Sequence, residues 1–186
     1  LLWGLDGWHT KPVARLGIPS LLMTDGPHGM RLSATPDGIP APANAFPTGV
    51  GLAASWNTGL IEEVGRIIGA ECRHNGVDLL LGPALNIKRS PLCGRNFEYY
   101  SEDPWLAGNI AAAFVRGLQS TGVGACLKHF ALNNMEKNRQ NSDSVCDRRT
   151  LHEIYLSAFE RAVRESKPWT VMCSYNKING TFASEH

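Results

Sequence analysis

The 186-residue sequence predicts an α/β fold built on a parallel sheet, because short apolar runs alternate with longer stretches of helical periodicity. A second observation is that polar and charged residues sit where the apolar runs end. A third is that two long connections, rich in Pro, Asn and charge, interrupt an otherwise compact pattern.

The expected strands are residues 20–24, 52–56, 78–82, 125–130 and 170–175. Each is short, rich in Leu, Val, Ile or aromatic residues, and flanked by Gly, Pro or Asn. Three helices are expected between them. Over residues 59–75, Leu60, Ile61, Val64, Ile67 and Ile68 fall on one helical face. The second helix follows Asp103-Pro104, an N-cap side chain with Pro at the first position, where no N–H is needed; it runs from Trp105 to Leu118 and ends near Gly122. The third follows Asp147, carries Leu151, Ile154, Tyr155, Ala158 and Ala162 on one face, and stops before Pro168.

Strands separated by amphipathic helices form right-handed βαβ units. No GxGxxG follows the first strand, which disfavours a dinucleotide fold. Residues 31–47 and 85–104 form the long connections, and long connections in a compact domain are usually functional.

Composition narrows the function. Net charge is +1 and Lys and Arg are spread along the chain, so nothing points to nucleic acid. No apolar run approaches the roughly 20 residues needed to cross a bilayer. Five cysteines (Cys72, Cys93, Cys126, Cys146, Cys173) form no CxxC pair, which favours reduced thiols and a cytoplasmic setting. Leu1-Leu2-Trp3-Gly4 has neither a Met start nor a signal-peptide pattern, and the sequence stops at Ser184-Glu185-His186 without a finishing element. The expectation is therefore a segment of a larger protein.

The polar strand ends carry the functional signal. The first strand runs into Asp25, the second into Asn57, and the third into Pro83 and Asn86. Lys128 and His129 lie in the fourth, and Tyr175 and Asn176 end the fifth. A turn explains any single Asn. It does not explain Lys128 beside His129 inside an apolar strand, because a buried ammonium is unfavourable unless paired. In a (β/α) barrel these ends form one face. The expected fold is thus a partial (β/α)8 TIM-type barrel with about five βα units.

Asp25, Arg31, Arg95, Lys128, His129, Arg139 and Tyr175, with the aromatics Trp3, Trp8, Trp56 and Phe97 nearby, would suit a polyhydroxylated ligand. Each hydroxyl both donates and accepts. No GxSxG elbow or GK[ST] phosphate loop is present. Neither Cys72 with His74 nor His28 with His9 has the second spaced pair a zinc site needs, so no metal or cofactor is expected. Asp103 reads as a helix cap and Glu98 as the partner of a neighbouring Arg. Asn179-Gly180-Thr181 reads as a glycosylation acceptor, which would matter only in a secreted protein, but more simply as a turn.

These residues stand in motifs. Residues Thr24-Asp25-Gly26-Pro27-His28-Gly29-Met30-Arg31 resemble a signature of family 3 glycoside hydrolases, the β-glucosidase-like enzymes. So do Gly94-Arg95-Asn96-Phe97-Glu98-Tyr99-Tyr100-Ser101-Glu102-Asp103-Pro104 and Lys128-His129-Phe130 with Asn133-Asn134, Glu136 and Arg139. Asp147-Arg148 with Leu151, Glu153 and Tyr155, and the run from Met172 to Gly180, complete the series in order over essentially the whole chain.

The resemblance implies an exo-acting, retaining β-glucosidase and the N-terminal barrel domain of such an enzyme. Asp25, Arg31, Arg95, Lys128, His129 and Arg139 would hold the −1 sugar, and Tyr175 would orient the nucleophile. It implies that the nucleophile, an Asp in a Ser-Asp-Trp type strand end, lies beyond His186. The acid/base would come from a C-terminal α/β sandwich domain absent from this chain. Ala131-Leu132-Asn133 after Lys-His-Phe speaks against the branch that reads Lys-His-Phe-Pro-Gly-His. The rival expectations are a β-xylosidase or α-arabinofuranosidase on the same scaffold, and a non-catalytic sugar-binding fragment. The partners expected are a β-glucoside and the missing domain, with no nucleic acid and no membrane; a homo-oligomer is left open.

Overall fold

The computed structural model describes residues 4–32 and 39–186. After a 3-10 turn at Ala14–Leu16 come β1 (Met23–Asp25), α1 (Gly49–Ala53), α2 (Thr58–His74), β2 (Leu79–Leu81), α3 (Pro104–Gln119) and β3 (Gly124–Phe130). Then follow β4 (Asp143–Ser144), α4 (Arg148–Thr150), α5 (Ser157–Ser166), β5 (Thr170–Cys173), β6 (Lys177–Ile178) and β7 (Thr181–Phe182). Between α4 and α5, Leu151–Leu156 takes the wider π winding.

Strands β1, β2, β3 and β5 pair in that order, all parallel, with Thr24 opposite Leu80, Leu80 opposite Ala125 and Leu127 opposite Val171. Neighbours in the sheet follow chain order without reversal. A doubly wound sheet reverses at a switch point, whereas a barrel adds each strand to the same edge. The fold is accordingly an open arc of a (β/α) barrel.

One expected strand is a helix. Leu52 N donates to Thr48 O and Ala54 N to Val50 O, which closes α1 across the front of residues 52–56. A five-residue apolar run cannot distinguish the two states by periodicity. Trp56, with φ 54°, ends the turn, and Asn57 caps α2 by accepting from Leu60 N at 3.0 Å. The parallel sheet therefore has four strands among the described residues, and Asn57 is a helix cap rather than a strand-end group.

The helices form as their caps direct. Asp103 accepts from Trp105 N at 2.8 Å and Asp147 from Thr150 N at 2.9 Å. Lys167 in the left-handed region terminates α5 before Pro168. Ile61, Val64, Ile68 and Cys72 of α2 are buried, while Leu60 and Ile154 lie at the margins of their faces and are exposed. A small sheet of β4, β6 and β7 was not foreseen. Its hairpin turns on Asn179 and Gly180, both at positive φ, the geometry of a two-residue primed turn.

Helix α3 is the hub, packed between α2 and α5 with Ile110, Phe114, Val115 and Leu118 fully buried. The α2–α3 contact brings backbone against backbone: a Cβ on Gly117 would lie 1.9 Å from Glu62 O. Helix propensity alone favours Ala over Gly by about 1 kcal/mol. Gly117→Ala is nonetheless expected to destabilise by about 1–3 kcal/mol, because the two helices must part. Urea unfolding of the two proteins measures it, and equal or greater stability in the variant would contradict the close packing.

Candidate functional site

Because the four strands are parallel, their C-terminal ends share one rim, and the polar residues foreseen there collect on it. Asp25 is the last residue of β1, and the turn after it is tight: Arg31 N returns to Asp25 O at 2.9 Å. Gly26 is required inside that turn, since a Cβ there would sit 2.1 Å from Gly29 O and φ is 139°. Arg31 Nη2 then donates to Asp25 Oδ2 at 2.7 Å.

Strand β3 brings Lys128 and His129. Strict alternation would send them to opposite faces, but the pairing with β5 is irregular between Leu127 and Phe130. Both side chains come within the field of Arg95. Lys128, only 3% exposed, lies 3.8 Å from Asp25 Oδ1. Burial lowers its pKa, while the carboxylates of Glu98 and Asp25 pull it back up. His129 is held by Asn86, whose Oδ1 accepts the His129 backbone N–H and whose Nδ2 donates to its carbonyl, both at 2.8 Å. Burial first, then Arg95, Lys128 and Arg139, push its imidazole down to about 2.

The loop after β2 supplies Arg95, which donates to buried Glu98 at 2.5 Å. Glu136 joins the remaining groups: Arg95 at 3.9 Å, Arg139 at 3.2 Å and Asn133 Nδ2 at 2.9 Å. The Arg139 guanidinium lies 5.3 Å from the centre of the half-exposed Tyr175 ring.

Asp25, Arg31, Arg95 and Lys128 line one open cavity of about 360 Å³, together with His28, Phe97 and Glu98. His129, Arg139 and Tyr175 do not line it directly. They connect to its Arg95 through Glu136: Arg139 pairs with Glu136 directly, Tyr175 lies against Arg139, and His129 reaches it by way of Tyr99 and Asn133. The seven foreseen residues thus form one continuous array. Of the aromatics, Phe97 lines the cavity, Trp8 and Trp56 do not, and Trp3 lies outside the described residues. The expectation of Glu98 as an arginine partner holds, as does Asp103 as a cap.

Sequence reasoning weighed His28 only as a metal ligand with His9, and missed its place at the cavity, the buried Tyr99 and the connecting role of Glu136. His28 presents buried ring nitrogens without partners beside the cavity. The signal that could have found it was its place between two glycines in the motif that follows Asp25.

The carboxylates at the rim are already committed: Asp25 to Arg31 and Lys128, Glu98 to Arg95, Glu136 to both arginines. What the array offers a ligand is a dense set of directional donors with carboxylate acceptors held among them, suited to holding hydroxyl groups in place.

Residues 8–186 match the family described as glycosyl hydrolase family 3 N terminal domain. The chain belongs to that family. This family 3 chain is 57% identical over 188 residues to thermostable beta-glucosidase B of Acetivibrio thermocellus, an alignment covering 98% of the chain and 25% of that protein. It is 49% identical to the exo-alpha-(1->6)-L-arabinopyranosidase of Bifidobacterium longum, again covering 98% and 25%. Among solved structures it resembles beta-glucosidase 3B of Thermotoga neapolitana in complex with alpha-D-glucose, at 53% identity and a TM-score of 0.91 over 95% of this chain and 25% of that one. The glucose complex of the Kluyveromyces marxianus beta-glucosidase gives 42% identity and a TM-score of 0.94 over 99% and 22%. The family 3 chain therefore spans about a quarter of the length of these relatives.

The depressed pKa of His129 has a thermodynamic consequence. Below about 6.5 the unfolded imidazole takes up a proton that the folded one refuses, so stability present above that pH is lost as pH falls. The loss approaches ~1.4 kcal/mol per pH unit for one such proton. His129→Asn should flatten the acid limb of a stability–pH curve by that slope, and an unchanged limb would contradict a neutral buried His129.

Proposed function

We propose that this chain is the sugar-holding part of a retaining, exo-acting β-glucosidase, and that Asp25, Arg31, Arg95, Lys128, His129 and Arg139 hold the terminal β-glucosyl residue in the −1 subsite. The observation that carries the reading is the convergence of Asp25, Arg31, Arg95 and Lys128 on one cavity at the C-terminal rim of a parallel sheet. In a (β/α) barrel that rim is where chemistry is placed. The glucose complexes of similar structures support a hexose as occupant.

The groups divide the work by charge. Asp25, held by Arg31 and Lys128, accepts from sugar hydroxyls; the ammonium and guanidinium groups donate to hydroxyl oxygens. His129 stays uncharged at working pH, which keeps a fifth cation, beside Arg31, Arg95, Lys128 and Arg139, away from an oxocarbenium-like transition state. Tyr175 sits beside Arg139, where it would orient a nucleophilic carboxylate from a following segment. Retention requires two carboxyl groups about 5–5.5 Å apart across the scissile bond. In this reading they come from outside residues 1–186: an Asp after β7 and an acid/base from a C-terminal α/β sandwich domain. This chain binds and orients; the completed enzyme cleaves.

A second reading is favoured by the arabinopyranosidase relative, 49% identical. A pentopyranoside lacks the C6 hydroxymethyl group, so the same pocket with a narrower wall would select it. Hydrolysis of aryl β-glucoside against aryl β-xyloside and aryl α-L-arabinopyranoside by the full-length protein separates the two.

Two outcomes test the main reading. In the full-length enzyme Asp25→Asn should lower kcat/KM by about 100-fold or more, because a buried ammonium loses its counter-charge and the sugar loses an acceptor. Residues 1–186 alone should give no turnover of aryl β-glucoside; measurable hydrolysis would place the catalytic carboxylates inside this chain and refute the division proposed.

A further inference from the structure

Glu136, Asn133 and Tyr99 lie behind the cavity, and the sugar-holding reading leaves them without a task. Their hydrogen bonds can be given directions one at a time. Glu136, between Arg139 at 3.2 Å and Arg95 at 3.9 Å, has carboxylate oxygens that only accept. Asn133 must then turn its amide nitrogen to Glu136 Oε1, at 2.9 Å. The other hydrogen of that nitrogen points to the phenolic oxygen of Tyr99, at 3.0 Å. Tyr99 is fully buried, and its own hydrogen needs an acceptor. His129 Nδ1, 3.4 Å away, is the acceptor among the hydrogen bonds of the described residues. A buried hydroxyl hydrogen without a partner is strongly unfavourable. A neutral imidazole has one accepting nitrogen and one N–H, so if Nδ1 accepts, Nε2 carries the proton.

We propose that Glu136 is the positioning residue of this pocket: through Asn133 and Tyr99 it holds His129 as the Nε2–H tautomer, and through its two ion pairs it aims Arg95 and Arg139. Three donors are thereby fixed from one carboxylate; Arg95 lines the cavity itself, and a ligand atom facing any of the three must be an oxygen that accepts. The opposing influence is Asn86 Oδ1, also 3.4 Å from Nδ1, which would favour a proton there. That oxygen already takes the His129 backbone N–H at 2.8 Å, and an Nδ1 proton would strand the Tyr99 hydrogen.

The proposal rests on the sugar-holding reading for its consequence, but the tautomer measurement that tests it does not. In the full-length protein labelled with nitrogen-15 at histidine, the His129 signals are identified by their loss in His129→Asn. The expected spectrum near neutral pH has a bare Nδ1 and a protonated Nε2. Tyr99→Phe removes the donor to Nδ1, and the proton should move to Nδ1, facing Asn86. Glu136→Gln should raise KM for aryl β-glucoside about tenfold while kcat changes less than about threefold, with Glu136→Asp recovering part of the loss. A protonated Nδ1 in the unsubstituted protein overturns the proposal, whatever the variants do. An unmoved proton in Tyr99→Phe, or a kcat loss in Glu136→Gln as large as the KM change, overturns it as well. The expected tautomer in a protein that neither binds nor hydrolyses glucosides would leave the positioning chain standing and sink the sugar-holding reading.

Discussion

The architecture of the rim depends on one buried ammonium. Lys128 sits in an apolar strand with almost no contact with water, where desolvation disfavours its charged form and lowers its pKa. Two carboxylates from separate segments oppose that: Glu98 from the connection after β2 and Asp25 from the end of β1. Each carboxylate is itself engaged by an arginine, Glu98 by Arg95 and Asp25 by Arg31. The need to compensate one charge thus ties three segments of the chain to one place. Breaking one member of such a set is more damaging than its pairwise contact suggests, since it leaves a charge buried without its partner.

That set also explains why the connection over residues 85–104 is ordered despite its length. It carries Arg95 and Glu98, an ion pair that contacts the rim, and Tyr99, which is fully buried beneath it. Asn96 Nδ2 ties the loop to Ser90 O at 2.7 Å, and the buried Tyr99 and Tyr100 supply its packing. Function and fold use the same residues here: the groups that would hold a sugar also order the loop that presents them.

Much of this was legible in the chain. Asp103-Pro104 and Asp147 announced two helices because a cap is a local hydrogen bond, made by one side chain to a backbone N–H two or three residues on. The Lys128-His129 pair announced the rim because a charge inside an apolar run has few structural explanations. The failure at residues 52–56 has the same locality at its root. Five apolar residues suit a buried helix turn as well as a strand, and the hydrogen bonds that chose between them run from Thr48 and Val50, outside any strand pattern. Trp56 was placed near the pocket on composition alone and is exposed elsewhere.

The chain order of the four sheet strands, the caps at Asp103 and Asp147 and the choice of seven candidate residues could be read from the sequence itself, because each depends on residue type and spacing along the chain. Which of those residues touch was decided only by tertiary structure. Arg95 and Glu136 are separated by a helix and a strand, yet meet at 3.9 Å; Asn86 and His129 bond from neighbouring strands' ends. Through-space pairing of this kind follows from sheet register and from the irregularity of β3, which turns two successive side chains toward one set of charges. No local pattern encodes that, since register is fixed by the whole packed sheet and the helices that cover it.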